Sequence, residues 1–135
     1  MTSRVAVDTD VFSYMLKQDT RRARFERHLE RAEPVLSAMV VAELYRWALI
    51  HKWGPRRQQA LEDAIRRHIV VPLTPTTSRI WADVFVARNR MGRRIGESDC
   101  WIAATAIEFG IPLVTNNERD FANIANLTVL GPHGA

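Results

Sequence analysis

Six oxygen-bearing side chains fall where the apolar pattern of the chain breaks. Asp8 and Asp10 end the run Val5-Ala6-Val7 in "VAVDTDVF". Glu43 sits inside "AMVVAELYRWALIHK", between Val40-Val41 and Leu44-Tyr45. Asp99 follows a glycine-flanked stretch in "GESDCWIAATA", and Asn117 and Asp120 follow "IPLVT". Carboxylates with no His or Cys beside them suit a hard cation, Mg²⁺ or Mn²⁺, with water in its remaining positions. The chemistry on offer is metal-assisted work on a negatively charged substrate.

Each acid has an ordinary alternative when taken alone. Glu43 can pair with Arg46 three residues on. Asp99, placed just after a Ser98 N-cap, would complement the dipole of its helix, worth about 0.3–1 kcal/mol. Asp10 reads as the cap of a helix beginning at Val11. The balance changes if Asp8, Glu43 and Asp99 converge. Two like charges ~4 Å apart at an effective dielectric of ~20 repel by about 4 kcal/mol. Such a cluster persists if a divalent cation neutralises it or if its acids take up protons.

Convergence depends on the elements that carry these residues. "RVAVD" reads as a buried strand, 10–17 and 20–32 as helices, and "PVLS" as a second strand. Ser37 is placed to cap the helix from 38 to about 51. Pro55 suits the first turn of a helix over 55–68, and "HIVVPL" is a third strand. Thr76, Thr77 or Ser78 opens a helix to about 90. A loop over 92–98 precedes a helix over 98–109, which Gly110 stops. "IPLVTNN" is a fourth strand with its exit turn, a short helix follows near 119–124, and "LTVL" is a last strand. Strands alternate with helices, so the expected class is α/β with a mainly parallel sheet of four or five strands. In such sheets ligands bind beyond the carboxyl ends of the strands. Asp8, Asp10, Asn117 and Asp120 are all expected there.

The chain has 135 residues, which suits one domain over 1–135. It carries no apolar run long enough to span a membrane and no early secretory pattern. The lone Cys100 excludes an internal disulfide, fits a reducing cytoplasm and reads as a packed residue. His28, His51, His68 and His133 lack metal-ligand spacing, which argues against zinc. Lys plus Arg number 19 against 15 acids, and all but Lys17 and Lys52 are Arg. The guanidinium fork suits phosphate, so a polyanionic partner is expected, with a bias toward Arg codons as the plain alternative. Arg88, Arg90, Arg93 and Arg94, just before Asp99, are placed to line an approach for phosphates. Arg21, Arg22 and Arg24 read as a solvated helix face. Trp47, Trp53, Trp81 and Trp101 read as core or dimer-interface residues.

Three stretches together, "VDTDVF", "SAMVVAEL" and "IGESDCWIAATAIEFGIPLVTNNERDF", resemble PIN-domain ribonucleases of the VapC toxin type along the whole chain. The resemblance implies a three-layer α/β/α sandwich and hydrolysis of RNA by a cytoplasmic toxin of a toxin–antitoxin pair. It also implies Mg²⁺ or Mn²⁺ held at Asp8 and Asp99. Glu43 would orient or deprotonate the attacking water, or hold a second metal. Thr9, Thr115, Asn116 and Asn117 are candidates to orient carboxylates or water. Two positions depart from the family pattern. Asp10 stands where Asn is frequent, and the acid after strand four is replaced by Asn117, with Asp120 three residues later. The resemblance further implies a cognate antitoxin covering Phe12, Met15 and Leu16, and a homodimer. The rivals are a binding module of the same fold that does not cleave, and a haloacid-dehalogenase-type phosphatase. The phosphatase opens on the same strand and Asp-x-Asp, but it needs a Lys that neither Lys17 nor Lys52 supplies.

Overall fold

Val5, Ala6 and Val7 are almost wholly shielded from water, because the first strand lies in the middle of the sheet. A computed structural model describes residues 3–132. Strand β1 (Ser3–Val7) pairs in parallel with β2 (Ala32–Ser37) on one side and with β4 (Leu113–Val114) on the other. β3 (Ile69–Val71) extends the sheet beyond β2, and β5 (Val129–Leu130) extends it beyond β4. The order is β3-β2-β1-β4-β5, all parallel. Such a sheet is covered on both faces, so its central strands are continuously apolar rather than alternating. The chain order reverses between β1 and β4, and at that switch point the following loops part to leave a crevice.

Among the described residues six α-helices supply the cover. They are α1 (Thr9–Lys17), α2 (Glu26–Leu29), α3 (Ala38–Ile50), α4 (Pro55–Arg66), α5 (Pro75–Arg90) and α6 (Glu97–Phe109). Helix α6 packs on β1 and β2, and α5 lies along α6. Helix α1 packs against α3 and α4. Among the described residues no helix is long and apolar enough to cross a membrane.

Several boundaries differ from the sequence expectations, each for a local reason. The segment expected as one helix over 20–32 is a 3₁₀ turn, Thr20–Phe25, followed by the single turn of α2. Phe25 alone is fully buried there, too little apolar surface to hold a longer helix. Helix α5 starts earlier than expected. Thr74 is its cap, and Thr77 bonds back to the Thr74 backbone in a reciprocal box. Helix α6 is capped by the backbone of Gly96 rather than by Ser98, so Asp99 is its third residue. Gly110 does close α6, at φ +62°, a conformation that favours glycine.

Arg88 corrects a further expectation. It is 5% exposed and does not line a surface. Its Nε donates to the Arg93 carbonyl at 2.8 Å, and its Nη1 donates to the carbonyls of Asp120 at 3.1 Å and Ala122 at 2.8 Å. One guanidinium thus ties α5 to the loop before α6 and to the segment after β4. Replacing it strands buried carbonyls and removes charge-assisted bonds. Arg88→Ala is expected to lower the unfolding free energy by about 3 kcal/mol in urea titrations. Arg90→Ala, on an exposed residue of the same helix, is expected to change it by less than ~0.5 kcal/mol.

Candidate active site

Asp8 is the first residue after β1, and it is 5% exposed. It is also the N-cap of α1. Its Oδ1 accepts the backbone N–H of Val11 at 2.9 Å, and the helix begins at Thr9. The expectation that Asp10 caps a helix from Val11 is therefore corrected. Asp10 lies in the first turn of that helix, where its charge favours the dipole. The sequence carried a signal for the true cap, since Asp8 stands three residues before the Val11 N–H it accepts.

The second oxygen of Asp8 accepts a bond from Thr115 Oγ1 at 2.5 Å. Thr115 is fully buried at the exit of β4, and its hydroxyl also accepts the Asn117 backbone N–H at 2.9 Å. The switch point is thereby stitched across: β1's exit is bonded to β4's exit through one hydroxyl. Thr9 plays the matching part on the other side. Its Oγ1 donates to Glu43 Oε1 at 2.6 Å. Thr9 and Thr115 both hold carboxylates.

Glu43 projects from α3 with 14% of its side chain exposed. Its Oε2 lies 3.6 Å from Arg46 Nη2, so the pairing weighed from the sequence is present together with the Thr9 bond. Helices α3 and α6 are fixed relative to each other by two buried hydroxyls. Ser37 caps α3 at the Met39 N–H, and Thr105 of α6 donates to Ser37 Oγ at 3.2 Å. Glu43 and Asp99 ride on these two helices. Asp99 is half-buried, and Glu43, Asp120 and Asp10, in falling order, act on it electrostatically. Asn117 Nδ2 reaches Asp10 Oδ2 at 3.4 Å, and both Asn117 and Asp120 are exposed.

Burial and like charge push these acids the same way. Desolvation raises Asp8 to about 6, opposed by the bonds from Thr115 and Val11 and reinforced by Asp10. Desolvation also raises Asp99 to about 6, with Glu43, Asp120 and Asp10 adding to it. Among the described residues no group of three or more His, Cys, Asp or Glu side chains is drawn together closely enough to hold a metal ion. The acids are instead linked pairwise by charge, and Asp8, Asp10 and Glu43 are each already bonded to a hydroxyl or an amide. Such a set fits a hard dication that keeps much of its water, and it does not fit zinc.

The remaining sequence candidates divide. Arg90, Arg93 and Arg94 are exposed around the α5–α6 loop, free to meet a polyanion. Met15 and Leu16 are partly exposed beside the core. Phe12 is not available to a partner: it is 1% exposed and meets the His68 ring edge-on at 5.0 Å. The apolar excess of α1 is thus largely core. Cys100 is buried, donates to the Trp81 carbonyl and is pushed up to about 12, chiefly by desolvation, as an inert packed thiol. His133 lies outside the described residues.

An all-parallel sheet under helices on both faces, with acids following its strand ends where the strand order reverses, offers a site for metal-assisted chemistry on a polyanion. Residues 5–127 match the PIN domain, and the chain belongs to that family. A curated relative, the VapC ribonuclease Y4jK of Sinorhizobium fredii, is 31% identical over 95% of this chain and 96% of its own. The ribonuclease VapC2 of Haemophilus influenzae is 27% identical over 90% and 92%. The fold matches that of VapBC2 from Rickettsia felis, solved bound to promoter DNA. Its TM-score is 0.83 at 23% identity, over 96% of this chain and 99% of that one.

Asp8 and Asp99 both hold protons more tightly in the folded chain than their ordinary value of 3.8 allows. Their contribution to stability is full below that value and is lost as pH rises through about 6. For Asp8 this is of order 3 kcal/mol, and for the less buried Asp99 it is smaller. Metal-free protein is expected to resist urea better at pH 5 than at pH 7.5. Asp8→Asn and Asp99→Asn should each shrink that difference, as chemical denaturation across the pH series would show.

Proposed function

We propose that this chain is a VapC-type ribonuclease that hydrolyses RNA phosphodiester bonds with Mg²⁺ or Mn²⁺ held at Asp8 and Asp99. Membership of the PIN family carries RNA cleavage as the activity. The observation that supports these particular residues is the electrostatic crowding of Asp99 by Glu43, Asp120 and Asp10, together with Asp10 acting on the capped, buried Asp8 as well. When bound, the dication would supply charge neutralisation for the acids and for the phosphate, and would acidify water.

The residues of the chain have separable tasks in this reading. Asp8 is held rigidly by Val11 and Thr115, so its oxygens present a fixed edge to the crevice. Glu43 is oriented by Thr9 and Arg46 and would align or deprotonate the attacking water, or hold a second metal. Asp10 and Asn117, joined to each other, are placed to order water in the outer shell. Asp120 adds negative charge facing Asp99 and is the nearer substitute for the family's fourth acid. Arg90, Arg93 and Arg94 would meet the phosphates of the approaching strand.

The same reading makes the chain a cytoplasmic toxin whose activity a cognate antitoxin holds in check, working as a homodimer. The Rickettsia felis neighbour is a VapBC assembly on promoter DNA, which supports a partner of that kind. Met15 and Leu16 remain the antitoxin-facing residues of α1.

Cleavage of a labelled RNA should require added Mg²⁺ or Mn²⁺, stop with a chelator, and fall below detection in Asp8→Asn and Asp99→Asn while both variants stay folded by circular dichroism. Cleavage that persists in both variants would exclude the assigned ligands. Asp120→Asn is expected to raise the metal concentration giving half-maximal rate. If only Asn117→Ala does so, the fourth position belongs to Asn117.

A further inference from the structure

Asp10 and Tyr14 lie four residues apart on α1, so they share one face of that helix. The guanidinium of Arg21 stacks on the Tyr14 ring, its central carbon 4.4 Å from the ring centre. Asp19 holds it there from the side. Arg21 Nε donates to Asp19 Oδ1 at 3.0 Å and Nη2 donates to Oδ2 at 2.7 Å. The Arg21 backbone N–H donates to the same Oδ1 at 2.9 Å, and the Asp19 N–H donates to the Tyr14 carbonyl at 3.0 Å. An arginine on a surface turn is ordinarily mobile. This one is fixed by a ring below, a carboxylate beside it and a backbone bond, while 53% of its side chain remains exposed.

Its position gives the fixation a use. Asn117 bonds Asp10, Asp10 shares a helix face with Tyr14, and Arg21 stacks on Tyr14, so a run of contacts leads from Arg21 back to the acids. Asp10 is close enough to act electrostatically on Arg21. Asp19 occupies one edge of the guanidinium fork, the Nε–Nη2 edge. The other edge, formed by one N–H of Nη1 and the second N–H of Nη2, has no hydrogen-bond partner among the described residues. A free edge of a fixed guanidinium matches the paired oxygens of a phosphate. A polyanion that must reach a crevice full of carboxylates needs a cation of this kind at the lip.

We propose that Arg21 is a phosphate-positioning residue, with Asp19 and Tyr14 orienting it, and that it holds an RNA phosphate flanking the one presented to Asp8 and Asp99. The inference rests on the nuclease reading and adds a point of contact to it. Arg22, next in sequence, faces Glu26 at 3.9 Å and serves as the comparison.

The test measures binding of a fluorescein-labelled single-stranded RNA to the full chain carrying Asp99→Asn, by anisotropy across a NaCl series. Adding Arg21→Ala should weaken binding roughly five- to tenfold. It should also reduce the slope of log affinity against log salt by about 0.7, one phosphate contact on a single strand. Arg21→Lys should recover the slope but only part of the affinity, because it keeps the charge and loses the fork. Arg22→Ala should change both quantities by less than half as much. Equal effects of Arg21→Ala and Arg22→Ala, or an unchanged slope, would overturn the proposal. So would a binding loss accompanied by a lowered thermal midpoint that Arg21→Lys does not repair. Metal-dependent cleavage by the unmodified chain alongside unaltered binding in Arg21→Ala removes this inference alone. Absence of any cleavage removes the nuclease reading with it.

Discussion

One buried carboxylate organises the switch point of this molecule. Asp8 follows the central strand, accepts the Val11 N–H in the first turn of α1 and takes a hydroxyl bond from the exit of the neighbouring strand. Burying a carboxylate without partners costs several kcal/mol, so the position is tolerable only because its oxygens are occupied. Every partner it uses belongs to a segment that also delivers another acid or amide to the crevice. Val11 fixes the start of the helix bearing Asp10, and Thr115 fixes the turn bearing Asn117. The backbone geometry of the candidate site therefore follows from satisfying one side chain.

The opposite wall is built by a different device. Ser37 and Thr105, both buried, join the start of α3 to the middle of α6. That join sets the spacing of the helices carrying Glu43 and Asp99 without placing charge between them. Repulsion among the acids is left uncompensated within the crevice, apart from Arg46 at its edge. A fold that tolerates this gives up some stability near neutral pH, and on the proposed reading a divalent cation would restore it. Hydroxyl and amide partners orient the carboxylates yet leave their charge intact.

The architecture was legible in the sequence because its determinants are local. The run Val5-Ala6-Val7, the Ser37 cap, Pro55 and Gly110 each state an element boundary through their own chemistry. That Asp8, Asn117 and Asp120 follow strand ends was legible from the alternation of strands and helices. What escaped were competitions decided in three dimensions. Asp8 and Asp10 are equally good caps on paper, and the bond from Thr115, 107 residues away, selects Asp8. Arg88 and Arg90 look alike in "ARNR", yet the first is swallowed by carbonyls from 93, 120 and 122. Phe12 could face either way until His68 closes over it. Arg21 was read as part of a solvated face because neither Tyr14 nor Asp19 advertises a clamp one residue at a time.

The interior position of Arg88 bears on how such an enzyme can be silenced. Its three bonds weld the stretch after β4 to both sides of the α5–α6 corner, so these parts of the proposed catalytic mouth cannot swing apart independently. Prying them open would expose a dehydrated cation and three stranded carbonyls at once. An inhibitor therefore gains little by bending this mouth and most by sitting in it as a stopper. Removing that stopper, by proteolysis for instance, would release a fully formed cutter with no refolding step between restraint and attack.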